Sequence, residues 1–169
     1  QVTGTAQPTT AASLRANLQS STAITAAYVA GDINAGNVPP QYETSIEIFD
    51  SQGSARPIRL AFVKTAANTW QYEAIYDGNA ADIGGAASNP IATGTLTFNT
   101  DGTIATPAPP TTITVPFVAT SGLAAQPIDL SFGTPGLADG FTQFDTTSTL
   151  YGSTVNGTLF GGLSGVRVD

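Results

Sequence analysis

The sequence predicts an all-β fold, a small antiparallel β-sandwich or barrel, either alone or with an appended β subdomain. Three observations support this prediction. Several short segments alternate apolar with polar residues, turn-forming residues separate these segments, and no helical face extends beyond about two turns. The 169 residues suit one domain and can bury a sizeable core. We expect roughly seven or eight short strands.

The first part of the chain contains one predicted strand. Residues 1–12 are rich in Thr, include Pro8 and are expected to form an extended lead-in segment. The alternation of apolar and polar residues over 13–19 predicts a half-buried strand, with a helix as the competing interpretation. The apolar segment 23–30 suits a short helix or strand. Two Gly and two Pro in 31–40 predict a loop that ends it.

The segment from Tyr42 to Asp77 is the clearest in the chain and predicts a three-stranded meander. Each of its strands carries apolar residues at every second position, which places them on one face of a sheet. Asp50 and Ser51 can hydrogen-bond their own backbone and Gly53 can take a positive φ, so the chain reverses there. The predicted strands are 44–49, 58–64 and 69–76, joined by the turn 50–53 and the loop 65–68.

The next segment predicts a loop, a hairpin and an edge strand. Residues 78–90 are Gly, Ala, Asn and Asp-rich, which suggests a mobile loop or a variable insertion. Residues 95–99 alternate, and the turn 99–102 closes a hairpin towards Ile104 through Asp-Gly. Three prolines make 106–112 an extended connector. Ile113, Val115 and Phe117 then form a strand, and Pro116, which lacks an amide hydrogen, places it at a sheet edge or end.

The last third of the chain has a weaker pattern. Ile128, Leu130 and Phe132 predict a strand that ends at the loop 133–140. Residues 141–157 mix Phe, Thr, Tyr and Gly without a clean period and are interpreted as loop with short extended pieces. Val166 and Val168 suggest the start of a further strand. We therefore divide the chain into the lead-in 1–12, a β-rich domain 13–157 with the central meander and hairpin at 43–104, and a return strand beginning in 158–169.

Composition excludes several classes of function. The chain has no Cys and no His, which removes disulfides, thiol nucleophiles, imidazole bases and the common zinc and copper ligand sets. Its net charge of −7 disfavours nucleic acids and anionic membrane surfaces, and no apolar segment is long enough to span a membrane. Only 10% of residues are charged, as is common on secreted β-proteins. Because the chain begins with Gln1 and not Met, we expect a fragment or a processed product.

Two groups of side chains suggest a binding or catalytic site. Trp70, Tyr72 and Tyr76 share one strand face and could stack on sugar rings, although core packing is the more common role of such a stripe. Glu43 and Glu47, with Glu73 nearby, could be offered as a glycosidase acid and base. Solvated strand charges are the simpler interpretation, because glycosidase carboxylates usually come from different elements and sit in a cleft.

Three further motifs have structural explanations. Asn99-x-Asp101-Gly102, and Asp77-Gly78 with Asp82, resemble parts of a calcium loop but lack the downstream Glu of an EF-hand and primarily indicate turns. Asn156-Gly157-Thr158 matches a glycosylation sequon. Arg56 and Arg59 could pair across strands with Glu43, Glu47 or Glu73. We therefore assign no catalytic, cofactor-binding or metal-binding residues and expect no cofactor.

Four pieces of the sequence, taken in order, carry a resemblance to a known family. The second is the most specific, since it joins a strand ending in Phe-Asp-Ser-Gln-Gly to a Val-Lys-Thr strand end and an Asn-x-Trp motif. The pieces are Ser13-Leu14-Arg15-Ala16-Asn17-Leu18; Ile48-Phe49-Asp50-Ser51-Gln52-Gly53 through Phe62-Val63-Lys64-Thr65 to Asn68-Thr69-Trp70; Gly94-Thr95-Leu96-Thr97-Phe98-Asn99 with Asp101-Gly102; and Asn156-Gly157 through Gly162-Leu163 to Val168-Asp169. In these pieces the chain resembles the middle, β-rich region of the bacterial flagellar hook protein.

The resemblance implies a structural role. It implies a secreted, non-enzymatic subunit that polymerises with copies of itself into a helical tube, the flexible universal joint that transmits torque from rod to filament. Its partners would be those copies and, through the full-length chain, the rod, hook cap and hook–filament junction, with no nucleic acid or membrane. Its location would be the extracellular hook, reached through flagellar export. Sustained apolar heptads are absent here, so we expect an outer-domain fragment. The alternative is a carbohydrate-binding adhesin or phage-tail module that uses the aromatic face.

Overall fold

The computed structural model describes residues 6–157, which form two curled five-stranded sheets packed face to face. Within that range there are ten strands and one short α-helix, α1 (Asp32–Ala35). The strands are β1 (Ala11–Asn17), β2 (Tyr42–Phe49), β3 (Ala55–Ala66), β4 (Thr69–Tyr76), β5 (Ala92–Phe98), β6 (Ile104–Thr106), β7 (Thr111–Val115), β8 (Gln126–Ser131), β9 (Phe141–Thr142) and β10 (Thr149–Val155). The predicted all-β sandwich is confirmed.

The first sheet is an antiparallel meander of β2, β3, β4, β5 and β6 in chain order. Asp50 Oδ1 accepts hydrogen bonds from the amides of Gln52 and Ser54 in the turn between β2 and β3. Gly53 completes this turn with a φ of 87°, a conformation that glycine adopts without steric cost. The hairpin around 99–102 joins β5 to β6. The predicted meander and hairpin are therefore both confirmed.

The second sheet has the strand order β10-β1-β8-β7, and β9 pairs with β1 beyond the end of β8. Strand β1 runs antiparallel to β10 but parallel to β8 and β9, so this sheet is mixed rather than purely antiparallel. The strand interpretation of 13–19 is correct, and the competing helix is wrong. Strand β7 forms one edge of the sheet, as Pro116 at its end predicts.

One main core fills the space between the sheets. Aromatic side chains from the two sheets meet there, with ring centroids 5.3 Å apart for Phe62 and Phe141 and 5.0 Å apart for Tyr72 and Phe132. These tilted contacts avoid the face-to-face sandwich that aromatic rings disfavour. Because both sheets share this core, residues 6–157 contain no separately packed β subdomain.

A second, smaller cluster lies on the outer face of the first sheet. We call residues 20–41 the strap, because this segment crosses β3 and β4 on the side away from the main core. Its Ile33 packs with Ala61 and Val63, and the Thr25 amide donates to the Lys64 carbonyl at 2.7 Å. The strap thereby covers a sheet face that would otherwise expose apolar residues.

The structure corrects two predictions about local elements in this region. Residues 23–30 form neither a helix nor a strand, and the short helix α1 lies instead in 31–40, which the sequence predicts to be a loop. Left-handed Gly31 and Gly36 bound this single turn. A Gly-bounded turn of four residues has no helical periodicity to detect, and its stability comes from packing against the sheet.

The structure also adds a strand to the segment 141–157. Strand β10 pairs with β1 along its whole length, whereas the sequence predicts mainly loop there. Its side chains are exposed or only half-buried because it forms a sheet edge, and only Leu150 and Val155 pack against the margin of the main core. A strand that buries so few side chains has only weak apolar alternation, which is why its pattern escapes detection.

Short 3₁₀ turns occur in two of the connecting segments. Residues 78–90 contain 3₁₀ turns at Ala80–Ile83 and Ala86–Ser88, and buried Ile83 anchors them to the main core. A third 3₁₀ turn, Ala119–Ser121, lies between β7 and β8. The return strand expected in 158–169 lies outside the described residues.

Candidate functional site

The aromatic stripe of β4 belongs to the core. Trp70 is fully buried, and Tyr72 and Tyr76 are 3% and 2% exposed. The Trp70 indole nitrogen donates to Gln143 Oε1 at 2.8 Å, which satisfies its polar atom inside the core. Burial raises the pKa of Tyr72 above its ordinary value. These rings are therefore not available as a platform for a sugar, and the core-packing interpretation is correct.

The three glutamates do not share a cleft. Glu73 is fully buried beneath the strap and accepts hydrogen bonds from the Tyr28 hydroxyl at 2.8 Å and from backbone amides of the strap. These amides belong to Gly31, Ile33 and Asn34, at 2.9, 3.0 and 2.9 Å. Burial, followed by the hydrogen bond to Glu73, raises the pKa of Tyr28. Glu73 is thus a buried anchor for the strap, while Glu43 and Glu47 lie on exposed positions of β2.

The two arginines of β3 form ion pairs, mainly with residues other than those predicted. Arg59 pairs with Glu43 at 3.1 Å, as predicted, and also with Asp77 at 3.0 Å. Arg56 pairs instead with Asp50 at 2.7 Å and with Asp82 at 2.9 Å. Sequence reasoning considered only cross-strand glutamates, and it missed carboxylates that loops bring to the end of the sheet.

The Asp50–Arg56 pair is the most buried ion pair among these. The Asp50 side chain is 1% exposed, and the Arg56 side chain is 23% exposed. Burial alone would raise the pKa of Asp50, but hydrogen bonds from Arg56 and from the Ser54 and Gln52 amides outweigh it. The pKa of Asp50 therefore lies below its ordinary value of 3.8. Asp50 joins the turn after β2 to β3 and has no reactive partner.

The calcium-like motifs are turns. Asp101 Oδ1 accepts hydrogen bonds from both the amide and the hydroxyl of Thr103, which closes the hairpin. Asp77 and Asp82 are held by Arg59 and Arg56, respectively. The described part of the chain contains no group of three or more His, Cys, Asp or Glu side chains placed to hold a metal ion. Among residues 6–157, no helix has the length and apolarity needed to cross a membrane.

The outer face of the second sheet is the main open sheet surface. Small polar side chains dominate it, including exposed Ser13, Thr114 and Thr154. A shallow depression of about 440 Å³ on this face is lined by residues of β1, β8 and β10 together with Pro110. Its lining combines small hydroxyl and apolar groups with one carboxylate, Asp129, and one amide, Asn156. This surface is suited to weak contacts and offers no acid–base pair or nucleophile–base pair.

Each basic side chain in residues 6–157 has a partner within the molecule. Arg56 and Arg59 form the ion pairs described above, and the Lys64 ammonium donates to the Ser20 carbonyl. The Arg15 guanidinium lies over the Tyr151 ring, 5.8 Å from its centroid. The surface therefore offers few free cations for pairing with another molecule.

Sequence reasoning missed a set of polar contacts where β1 begins and β10 ends, in which Thr9 and Gln126 are buried and Asn156 is exposed. The set contains Thr9, Gln126 and Asn156, together with the backbone of Phe49. Asn156 belongs to the predicted sequon, but its side chain bonds Thr10 and Ala11, and Thr158 lies outside the described residues. A Thr in a Thr-rich segment and single amide residues carry no sequence signal for this arrangement.

Comparison with known families identifies one family whose members resemble this chain over most of its length. A sequence profile of the family described as flagellar basal body protein FlaE D2 domain matches residues 14–158, most of the chain. The chain belongs to this family. The match begins within β1 and extends past the end of β10, so it includes both sheets.

Similar proteins carry the name of the flagellar hook protein FlgE. That of Helicobacter pylori is 34% identical over 131 residues, which cover 76% of this chain and 18% of the relative. That of Caulobacter vibrioides is 26% identical over 166 residues, covering 80% of this chain and 27% of the relative. The chain thus spans between 18% and 27% of the length of these two relatives.

A solved structure supports the fold. The 32 kDa fragment of the flagellar hook protein FlgE from Caulobacter crescentus superposes with a TM-score of 0.62 over 76% of this chain and 52% of that chain. Sequence identity in this comparison is 22%, so the likeness concerns the architecture alone. The two-sheet fold described above therefore has an experimentally determined counterpart.

Proposed function

We propose that this chain is an outer β-domain of a bacterial flagellar hook subunit. The observation that carries the proposal is the family match over residues 14–158, which includes both sheets. In this proposal residues 13–157 form the outer domain, 1–12 lead into it, and 158–169 begin the return towards an inner domain. The full-length subunit is exported, polymerises with copies of itself into the hook tube and joins the other axial proteins of the flagellum.

The proposed task of the domain is mechanical and not catalytic. A tube that bends as it rotates must let contacts shorten on one side while they lengthen on the other. Strong ion pairs or large apolar patches between neighbours would favour one spacing. Hydroxyl and amide groups make weaker contacts, often through water, that can be exchanged at low cost. The internal pairing of the basic side chains and the small polar residues of the open sheet face both fit this requirement.

Replacement of the matching segment in a full-length hook protein tests this proposal. Residues 14–158 would replace the segment of Helicobacter pylori FlgE that they resemble, with the flanking parts of that protein unchanged. We expect export, hooks of normal length on electron micrographs, and swimming. A matched graft of an unrelated β-sandwich of similar size controls for tolerance of any insert. Failure of the graft to form hooks, or equal success of the unrelated insert, would contradict the proposal.

Sedimentation tests the proposed division between outer and inner domains. The isolated chain and a full-length hook protein would be compared under conditions that favour polymerisation. We expect the chain to remain monomeric while the full-length protein forms tubes, because the weak outer contacts act only once other segments hold the subunits together. Assembly of the chain alone would assign the polymer contacts to these β-sheets and would contradict this division.

A further inference from the structure

The two ends of the described chain meet at one place in the fold. Strand β1 leads away from this place and antiparallel β10 returns to it, so residues 9–11 lie beside residue 156. Gly157 follows with a φ of 94°, and a Cβ there would lie 2.8 Å from the Gln7 carbonyl oxygen and 2.9 Å from the Thr9 amide. The incoming and outgoing chain segments are therefore in close contact.

Asn156 concentrates hydrogen bonds at this meeting point. Its Oδ1 accepts from the amides of Thr10 at 2.7 Å and Ala11 at 3.1 Å, and its Nδ2 donates to Thr10 Oγ1 at 2.8 Å. Its own amide donates to the Ala11 carbonyl, and its carbonyl accepts from Thr9 Oγ1 at 2.8 Å. An ordinary antiparallel pair exchanges about two hydrogen bonds. One residue here makes both backbone and side-chain bonds to the opposite segment.

Thr9 extends these contacts into both sheets. It is fully buried, its amide donates to the Phe49 carbonyl at 2.9 Å, and its hydroxyl accepts from the Phe49 amide at 2.9 Å. Gln126 Nε2 donates to the carbonyls of both Thr9 and Phe49, each at 2.9 Å. Residues 9, 49, 126 and 156 form what we call the base node. It connects the segment just before β1 to β2 in one sheet and to β8 and the end of β10 in the other.

We infer that the base node is a mechanical clamp, with Asn156 as its positioning residue. Tension applied to the two chain ends pulls residue 9 away from residue 156. The base node therefore carries this force before the β1–β10 ladder does. Pulling adjacent ends of antiparallel strands apart loads their hydrogen bonds in succession, and a reinforced first position protects every bond behind it. This inference rests on the proposed function for its biological purpose, since a torque-transmitting domain receives force through its chain ends.

Asn17 provides a matched control at the opposite end of β1. Asn17 is fully buried, whereas Asn156 is exposed. The side chain of Asn17 donates to the carbonyls of Phe144 and Thr146, and accepts from the Phe144 amide and the Thr142 hydroxyl. It therefore has at least as many side-chain hydrogen bonds as Asn156, but tension on the ends reaches it late. Comparing substitutions at the two asparagines separates the effect of a residue's position relative to the applied force from its effect on thermal stability.

The test is force spectroscopy on the 169-residue chain held between handles at its two ends. Forced unfolding is governed by the unfolding rate. For Asn156→Ala we expect that rate at constant force to rise about tenfold or more, as the loss of several hydrogen bonds predicts. For Asn17→Ala we expect a smaller rise, although its loss of thermal stability is equal or greater. Asn156→Asp keeps an acceptor for both amides and should restore most of the resistance.

Three results would overturn the inference. The first is an unfolding rate under force that rises in Asn17→Ala as much as in Asn156→Ala or more, so that the rate follows thermal stability alone. The second is an unchanged rate in Asn156→Ala. The third is an Asn156→Asp variant as weak as Asn156→Ala. Should Asn17→Ala fail to fold, Asn99→Ala in the exposed turn after β5 replaces it as the control remote from the ends. The force measurement uses the isolated chain and does not depend on hook formation. If the chain shows the clamp but the graft forms no hooks, the clamp inference stands and the proposed function fails.

Discussion

At the scale of single residues, Trp70 shows the cost of removing a core side chain. It is fully buried and hydrogen-bonded to Gln143, so we expect Trp70→Ala to lower the free energy of unfolding by about 3–5 kcal/mol. Urea denaturation measures this change. Tyr151→Ala is the control, because that ring is 54% exposed and its loss should cost below about 1 kcal/mol. A small effect of Trp70→Ala, or carbohydrate binding that depends on Trp70, would contradict its assignment to the core.

Asp50 makes the stability of the fold depend on pH in the acidic range. Its pKa is depressed in the folded protein, so its ionised form favours folding, and this contribution is complete above its ordinary pKa of 3.8. The contribution is lost as pH falls from that value through the folded-state pKa. We expect Asp50→Asn to lower the melting temperature at neutral pH and to flatten its decline below about pH 4. Melting curves across this range measure both effects.

The exposed carboxylate of Glu47 supplies the control for this pH experiment. Glu47→Gln should leave both the melting temperature at neutral pH and its decline in acid close to those of the unmodified chain, because surface charges contribute little. If the melting temperature of Asp50→Asn declined in acid as steeply as that of the unmodified chain, the Asp50–Arg56 pair would not be the source of the acid sensitivity.

At the scale of elements, the strap depends on one buried carboxylate. Glu73→Gln replaces an acceptor of several amide hydrogens with a group that presents its own amide hydrogens to them. Hydrogen bonds to charged groups contribute roughly 1.5–3 kcal/mol each, and we expect a loss of about 2 kcal/mol or more. Hydrogen exchange at the Ile33 and Asn34 amides should accelerate more than exchange in β4. Uniform acceleration across both sheets would show that the strap does not open on its own.

At the scale of the whole molecule, the proposed function predicts that neighbouring subunits slide along the open face of the second sheet. Ser13 and Thr114 lie on this face, and a graft of residues 13–158 into a full-length hook protein would contain both. We expect Ser13→Glu with Thr114→Glu to alter hook curvature and reduce swimming without lowering the melting temperature of the isolated chain. Ser13→Thr with Thr114→Ser controls for substitution itself. Normal curvature and swimming in the charged variant would contradict the sliding-contact hypothesis.

Several features of the fold and site were predictable because their signals are local. The strands of the first sheet, the Asp50 turn and the Asp101 hairpin depend on alternation and on residues that bond their own backbone. The burial of the aromatic stripe follows from the same alternation. Strand β10 and the strap were not predictable, because a polar edge strand lacks periodicity and Glu73 resembles any exposed strand carboxylate until the strap is placed above it.

The sequence by itself determined the β class, the meander, the absence of thiol and imidazole chemistry, and the family. Each depends on composition, on short-range spacing or on an ordered motif, all of which can be read along the chain. Only the tertiary structure decided the parallel pairing of β1 with β8, the anchoring of the strap on Glu73, and the base node that joins Thr9 to Asn156. These features join residues far apart in sequence. Glu73 and Thr9 in particular are buried, so they must find their hydrogen-bond partners within the protein and not in water.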